Sequence, residues 1–119
     1  MADRDALNYP RRGDVYLVNF DPTVGAEIKK TRPALIVPNG QSPITIVAAI
    51  TSQFEEPLYP TEVFLPTGEG GMRVESVVLL NQIRSVDKRR LVRPLGSLRP
   101  PTLRKVDRAL GISLGLLGL

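Results

Sequence analysis

Between Gly13 and Val37 two apolar runs, Val15 to Phe20 and Pro33 to Val37, flank a long polar and charged connection. In the first run Val15, Leu17 and Asn19 alternate with Tyr16, Val18 and Phe20, and both sets are largely apolar, which predicts a strand covered on both faces. Asp21-Pro22 ends it, and Pro33 opens the next strand, where a residue without an N–H is tolerated. Ile44 to Thr51 is the most β-prone run and predicts a central strand. Thr61 to Leu65, Ser76 to Leu80 and Ile83 to Val86 follow as further strands. Thr67 to Gly71 reads as a flexible connection and Lys88 to Arg90 as a basic turn. Asn81-Gln82 interrupts an apolar run and predicts a bulge or a side chain aimed at a partner. Pro100-Pro101 suits a helix start, and Leu103, Val106, Leu110, Leu114 and Leu117 then recur at helical spacing. The pattern predicts a mainly β protein, a small β-barrel of roughly five to seven short strands with a C-terminal helix.

Length adds the expectation of one domain over residues 13–119, preceded by a loose arm over residues 1–12, since 119 residues with 42% hydrophobic content suffice for a single core. No run approaches the length of a membrane span and the first residues lack a signal-like apolar segment, so the expected location is cytoplasmic. The nearly all-apolar end, Ile112 to Leu119, is read either as a dimer contact or as core packing.

Composition narrows the chemistry more sharply. There is no cysteine and no histidine. That excludes disulfides, thiolate nucleophiles, Ser-His-Asp catalysis and histidine-based ribonuclease chemistry, and it removes the usual zinc ligands. No Walker, dinucleotide or EF-hand pattern is present, so the expected cofactor and metal requirement is none. Between Met72 and Arg108 ten basic residues face three acidic ones, while the rest of the chain is net acidic. Arginine dominates, which favours phosphate because the planar guanidinium grips two oxygens at once; a solvated basic face is the competing explanation.

Lys29, Lys30 and Arg32 end a connection too long for a tight hairpin, which suggests an anionic ligand. Arg32 begins one strand and Thr51 ends another. If these strands are antiparallel neighbours the two side chains meet, Arg32 to neutralise charge on a phosphoryl group and Thr51 to donate a hydrogen bond to it. A surface salt bridge and a strand-end hydroxyl are the plainer alternatives. Glu27 is the acid near the end of the loop and a possible base. Single-stranded RNA suits such a surface, with Phe20, and Phe54 or Tyr59, placed to stack on bases. Lys30, Ser52 and Arg84 are further expected contacts to RNA.

The stretches RGDVYLVNFDPTVGAEIKKTRPALIV, AAITSQ and SVVLLNQIRSVDKRRL, in that order, resemble the successive motifs of the MazF/PemK toxins of bacterial toxin-antitoxin modules, from Arg12 to the terminal helix. The resemblance implies an SH3-like barrel, a homodimer and a metal-independent endoribonuclease that cuts single-stranded RNA, leaving a 2′,3′-cyclic phosphate and a 5′-hydroxyl. It also implies a cognate antitoxin whose disordered tail lies across the RNA groove. The family's catalytic arginine and threonine fall on Arg32 and Thr51, its loop glutamate on Glu27, and the glutamine of its LLxQ motif on Gln82. Ala26 and Ile28 stand where serine and glutamine are common, which touches base preference. Two other functions share this expectation of fold: a non-cleaving inhibitor that binds protein, like the gyrase poison CcdB, and a non-catalytic RNA-binding module. Arg32 with Thr51 separates them, since only cleavage requires the pair.

Overall fold

The computed structural model describes residues 10–20, 31–38, 40 and 42–119. Six strands, β1 (Asp14–Asn19), β2 (Thr31–Ile36), β3 (Ile44–Thr51), β4 (Glu62–Leu65), β5 (Ser76–Asp87) and β6 (Leu91–Ser97), precede one helix, α1 (Pro100–Ser113). They form a single antiparallel sheet in the order β4-β5-β3-β2-β1-β6. The architecture is the expected one of β-strands and a C-terminal helix, with one difference of detail. The sheet does not close on itself by hydrogen bonds; instead a 3₁₀ turn at Glu69–Gly71 packs on β6 and α1 packs on β4 and β5.

The double apolar pattern of the first strand has a direct structural meaning. Val15 joins a core with Leu35, Ala48, Ile50, Val63, Leu65, Val78, Leu80, Val106 and Ala109, on the face that α1 covers. Tyr16 and Val18 point the other way and form a second core with Ala34, Ile36, Val47 and Val86, edged by Phe20 and Leu91. Burial on both faces fixes register strongly, because a slip of one residue would exchange the two sets. Burial, and to a smaller extent the negative charge of Asp14, raises the pKa of Tyr16 above 10.0, as expected for a phenol at the edge of an apolar cluster.

Three sequence-based expectations are corrected, and one strand for which the sequence gives no expectation is added. Ser76 to Leu80 and Ile83 to Val86 belong to one continuous strand, β5, which absorbs Asn81-Gln82 as a bulge. Strand β6 lacks the alternation of a half-buried strand and contains Pro94, which fits its position at the sheet edge. The Thr67–Gly71 segment is no flexible link: Glu69 and Gly70 are buried, and the Glu69 carboxylate accepts the Arg99 amide and pairs with its guanidinium, tying the turn to Arg99. The helix stops at Ser113. Gly115 takes φ +77 beyond it, and the amides of Leu116 and Leu117 turn back to the carbonyl of Gly111, so Leu117 does not extend the helical face.

The basic turn Lys88–Arg90 is capped by Asp87, whose carboxylate accepts bonds from the Arg89 amide at 2.8 Å and from its Nε and Nη2 at 3.0 Å. The Arg89 side chain and then its amide hold the Asp87 carboxyl down to about 2 from 3.8. A depressed folded-state pKa stabilises the fold above the unfolded value, and this contribution fades as pH falls from 3.8 through about 2. Asp87→Asn is therefore expected to flatten the loss of thermal stability over that acid window, measured by circular dichroism melts, with no change of slope near neutrality.

Candidate nucleic-acid groove

β2 and β3 pair antiparallel with Ala34 opposite Ala49 and Leu35 opposite Ala48. Continued outward, this register sets Arg32 against Thr51 at the mouth of the sheet. Arg32, Ala34 and Ile36 lie on the face of the second core, as do Val47, Ala49 and Thr51. Both residues line a groove of about 710 Å³, whose walls also include Ser52, Phe54, Tyr59 and Gln82. Thus the structure brings together Arg32, Thr51, Ser52, Phe54, Tyr59 and Gln82 of the residues marked in the sequence.

The side chain of Arg32 is exposed and, among the described residues, takes part in no hydrogen bond or ion pair. The surface salt bridge that would make it structural is therefore not formed with any described residue. Thr51 is locally fixed: its Oγ1 accepts the Gln53 amide at 2.9 Å and donates to the Gln53 carbonyl at 3.3 Å. The second contact is long, so the hydroxyl proton is weakly held and free to turn towards an anion. Gln82 reaches the groove because of the bulge. Opposite the single step from Ala48 to Ala49 on β3, β5 passes from Ile83 to Leu79, and the intervening Leu80 plugs the core while Asn81 and Gln82 stand exposed.

Arg84 lies on the same sheet face, opposite Val47, and its guanidinium sits 5.2 Å from the centre of the Phe20 ring. Neither residue lines the groove itself; they form a stacked pair on its face of the sheet, a contact worth about 0.5–1 kcal/mol at an exposed position. Phe54 leans edge-on against Phe64, ring centres 6.1 Å apart, and Tyr59 is 70% exposed, leaving a free ring in the wall. Glu27 and Lys30, together with Ala26 and Ile28, lie outside the described residues. Sequence reasoning did not single out Gln53, Glu55, Glu62, Met72 and Val74, which also line the groove. The glycine-rich Thr67–Gly71 stretch, which reads as a flexible connection, gives no local signal that Met72 and Val74 line the groove. Among the described residues no group of three or more acidic, cysteine or histidine side chains is placed to hold a metal ion, and no helix is long and apolar enough to cross a membrane.

The sheet, its terminal helix and the arginine-threonine groove define a small antiparallel β protein of the kind seen in solved MazF structures. One, MazF from Deinococcus radiodurans, superposes with a TM-score of 0.72 at 33% identity over 90% of this chain and 97% of that one. A MazE-MazF structure from the same organism gives 0.75 at 32%, over 91% and 97%. In sequence, Endoribonuclease EndoA of Bacillus subtilis (strain 168) is 42% identical over 111 residues, 90% of this chain and 96% of that protein. Residues 11–114 match the family of PemK-like, MazF-like toxins of type II toxin-antitoxin systems, and the chain belongs to that family.

Proposed function

We propose that this chain is a toxin endoribonuclease that cuts single-stranded RNA without a metal, acts in the cytoplasm and is neutralised by a cognate antitoxin. The observation that carries the reading is the juxtaposition of Arg32 and Thr51 across β2 and β3, in the wall of one groove of about 710 Å³. Membership of the toxin family and 42% identity to a protein named an endoribonuclease support it. The MazE-MazF structure supports an antitoxin partner. Leu114, Leu116, Leu117 and Leu119 are exposed at the end of the chain and suit a contact with a second copy.

In the proposed reaction the ribose 2′-oxygen attacks the adjacent phosphorus and the bond from phosphorus to the 5′-oxygen breaks. The products are a 2′,3′-cyclic phosphate and a 5′-hydroxyl. Negative charge grows on the non-bridging oxygens, and the guanidinium of Arg32 is the group suited to stabilise it, with the Thr51 hydroxyl as a second donor. Arginine stays protonated, so Arg32 serves as a hydrogen-bond donor that stabilises the leaving 5′-oxygen, which takes its proton from water, and not as the base. Glu27 is the proposed acceptor of the 2′-hydroxyl proton. Ser52 and Gln82 are the proposed contacts to the strand within the groove, with Phe20, Arg84 and Lys30 beside it.

The test uses purified dimer and a long single-stranded RNA in excess EDTA. Discrete fragments ending in cyclic phosphate are expected. Intact RNA in the presence of folded dimer overturns the reading and leaves a non-cleaving toxin that acts by protein contact.

A further inference from the structure

Beside the main groove lies a second basin of about 590 Å³, lined by Ser52, Phe54, Thr67, Arg73, Val74 and Glu75. Three of these, Ser52, Phe54 and Val74, also line the groove that holds Arg32 and Thr51, so the two depressions are continuous. Arg73 is the one cation in the basin. It is exposed and, among the described residues, makes no hydrogen bond or ion pair, even though Glu75 lines the same basin.

The backbone that carries Arg73 is held from both sides. Before it, the amide of Gly68 donates to the Met72 carbonyl at 2.8 Å and that of Met72 donates to the Glu69 carbonyl at 3.2 Å. The buried Glu69 carboxylate accepts the Arg99 amide at 2.7 Å and lies 3.4 Å from Arg99 Nε, locking the turn to the start of α1. After it, the fully buried Ser76 donates its hydroxyl to the Val74 carbonyl at 2.9 Å. A guanidinium displayed on a short fixed loop loses little backbone entropy when it takes up a ligand. Around it stand the hydroxyls of Ser52 and Thr67, which complement phosphate oxygens, and the apolar surfaces of Phe54 and Val74, which complement a base or ribose.

The geometry points to a nucleotide-binding subsite at Arg73 that grips the phosphate of a nucleotide flanking the cut site on the same RNA strand. The inference rests on the RNA-cleaving reading and deepens it: Arg73 is a binding residue outside the reacting pair, and it acts on how long substrates are held. Arg73 contacts phosphate, so its contribution is independent of base identity and sensitive to salt.

The experiment compares wild type, Arg73→Gln and Arg73→Lys on two RNAs: one trimmed to the mapped cut site and one extended on both sides. On the extended RNA, Arg73→Gln is expected to raise KM about fivefold with kcat unchanged. The dependence of log(kcat/KM) on log salt should become shallower by about 0.7, the share of one phosphate contact on a single strand. Arg73→Lys should recover most of the loss, and the trimmed RNA should not distinguish the three proteins. Wild-type KM and salt slope for Arg73→Gln on the extended RNA overturn the subsite. An equal loss on both RNAs also overturns it, since that marks Arg73 as a support of the groove wall. Affinity for the extended RNA blocked by a 2′-O-methyl group at the cut site gives the same comparison without cleavage. If wild type cuts neither RNA, the RNA-cleaving reading fails, and the blocked RNA still tells whether Arg73 binds the strand.

Discussion

Replacing Arg32 with alanine is expected to give a folded protein whose cutting rate is lower by roughly a hundred- to a thousandfold, the loss seen when one donor to a developing oxyanion is removed. The fold should survive because the side chain is exposed and makes no hydrogen bond or ion pair among the described residues. What β2 contributes to the core comes from Ala34, Leu35 and Ile36, all fully buried. Single-turnover cleavage of one long RNA measures the first expectation, and the thermal midpoint measures the second. Arg32→Lys should fall between, since lysine keeps the charge but not the planar fork that spans two phosphate oxygens. A variant that cuts at the wild-type rate removes Arg32 from the site, and one that unfolds returns it to a structural role.

The largest expected effect on stability lies at Gly71. Its φ is +80, and a Cβ built there would lie 2.0 Å from the carbonyl oxygen of Leu95. Gly96 faces it, with its own would-be Cβ 2.6 Å from the carbonyl carbon of Gly70. Two stretches of backbone abut with no side chain between them. Gly71→Ala therefore combines a left-handed backbone with an unavoidable clash against backbone rather than a pliable side chain. Together these should cost about 3 kcal/mol, a large share of the ~5–15 kcal/mol that holds a small domain folded. Gly68→Ala is the control. Its φ of +99 is equally unfavourable, yet nothing lies within 4 Å of the added carbon, so only the backbone cost of about 1 kcal/mol is expected. Urea unfolding of both variants separates the two contributions; equal midpoints would show that the approach of β6 is looser than the geometry implies.

The position of Gly71 also explains why one part of the groove was illegible in the sequence. Gly70-Gly71 reads locally as a pliable link, because glycine signals conformational freedom. In the fold that freedom is used once, to let the turn lie flat on β6, and the result is a rigid pedestal for Met72, Arg73 and Val74. Strand β6 was missed for a related reason. It lies at an edge, and Val92, Arg93 and Pro94 are exposed, so no alternating apolar signal marks it. By contrast β1, β2 and β3 were plain, since their apolar positions serve two cores.

From the sequence alone followed the strand-rich character, the terminal helix, the exclusion of histidine and cysteine chemistry, and the candidacy of Arg32 and Thr51. These depend on residue type and local periodicity, which propensity and side-chain alternation encode within a few residues. The tertiary structure decided the strand order, the register that sets Arg32 against Thr51, the bulge that delivers Gln82 to the groove and the pedestal that places Arg73 beside Ser52. Each depends on pairings between distant segments, where two buried faces must be satisfied at once, and no local pattern carries that condition.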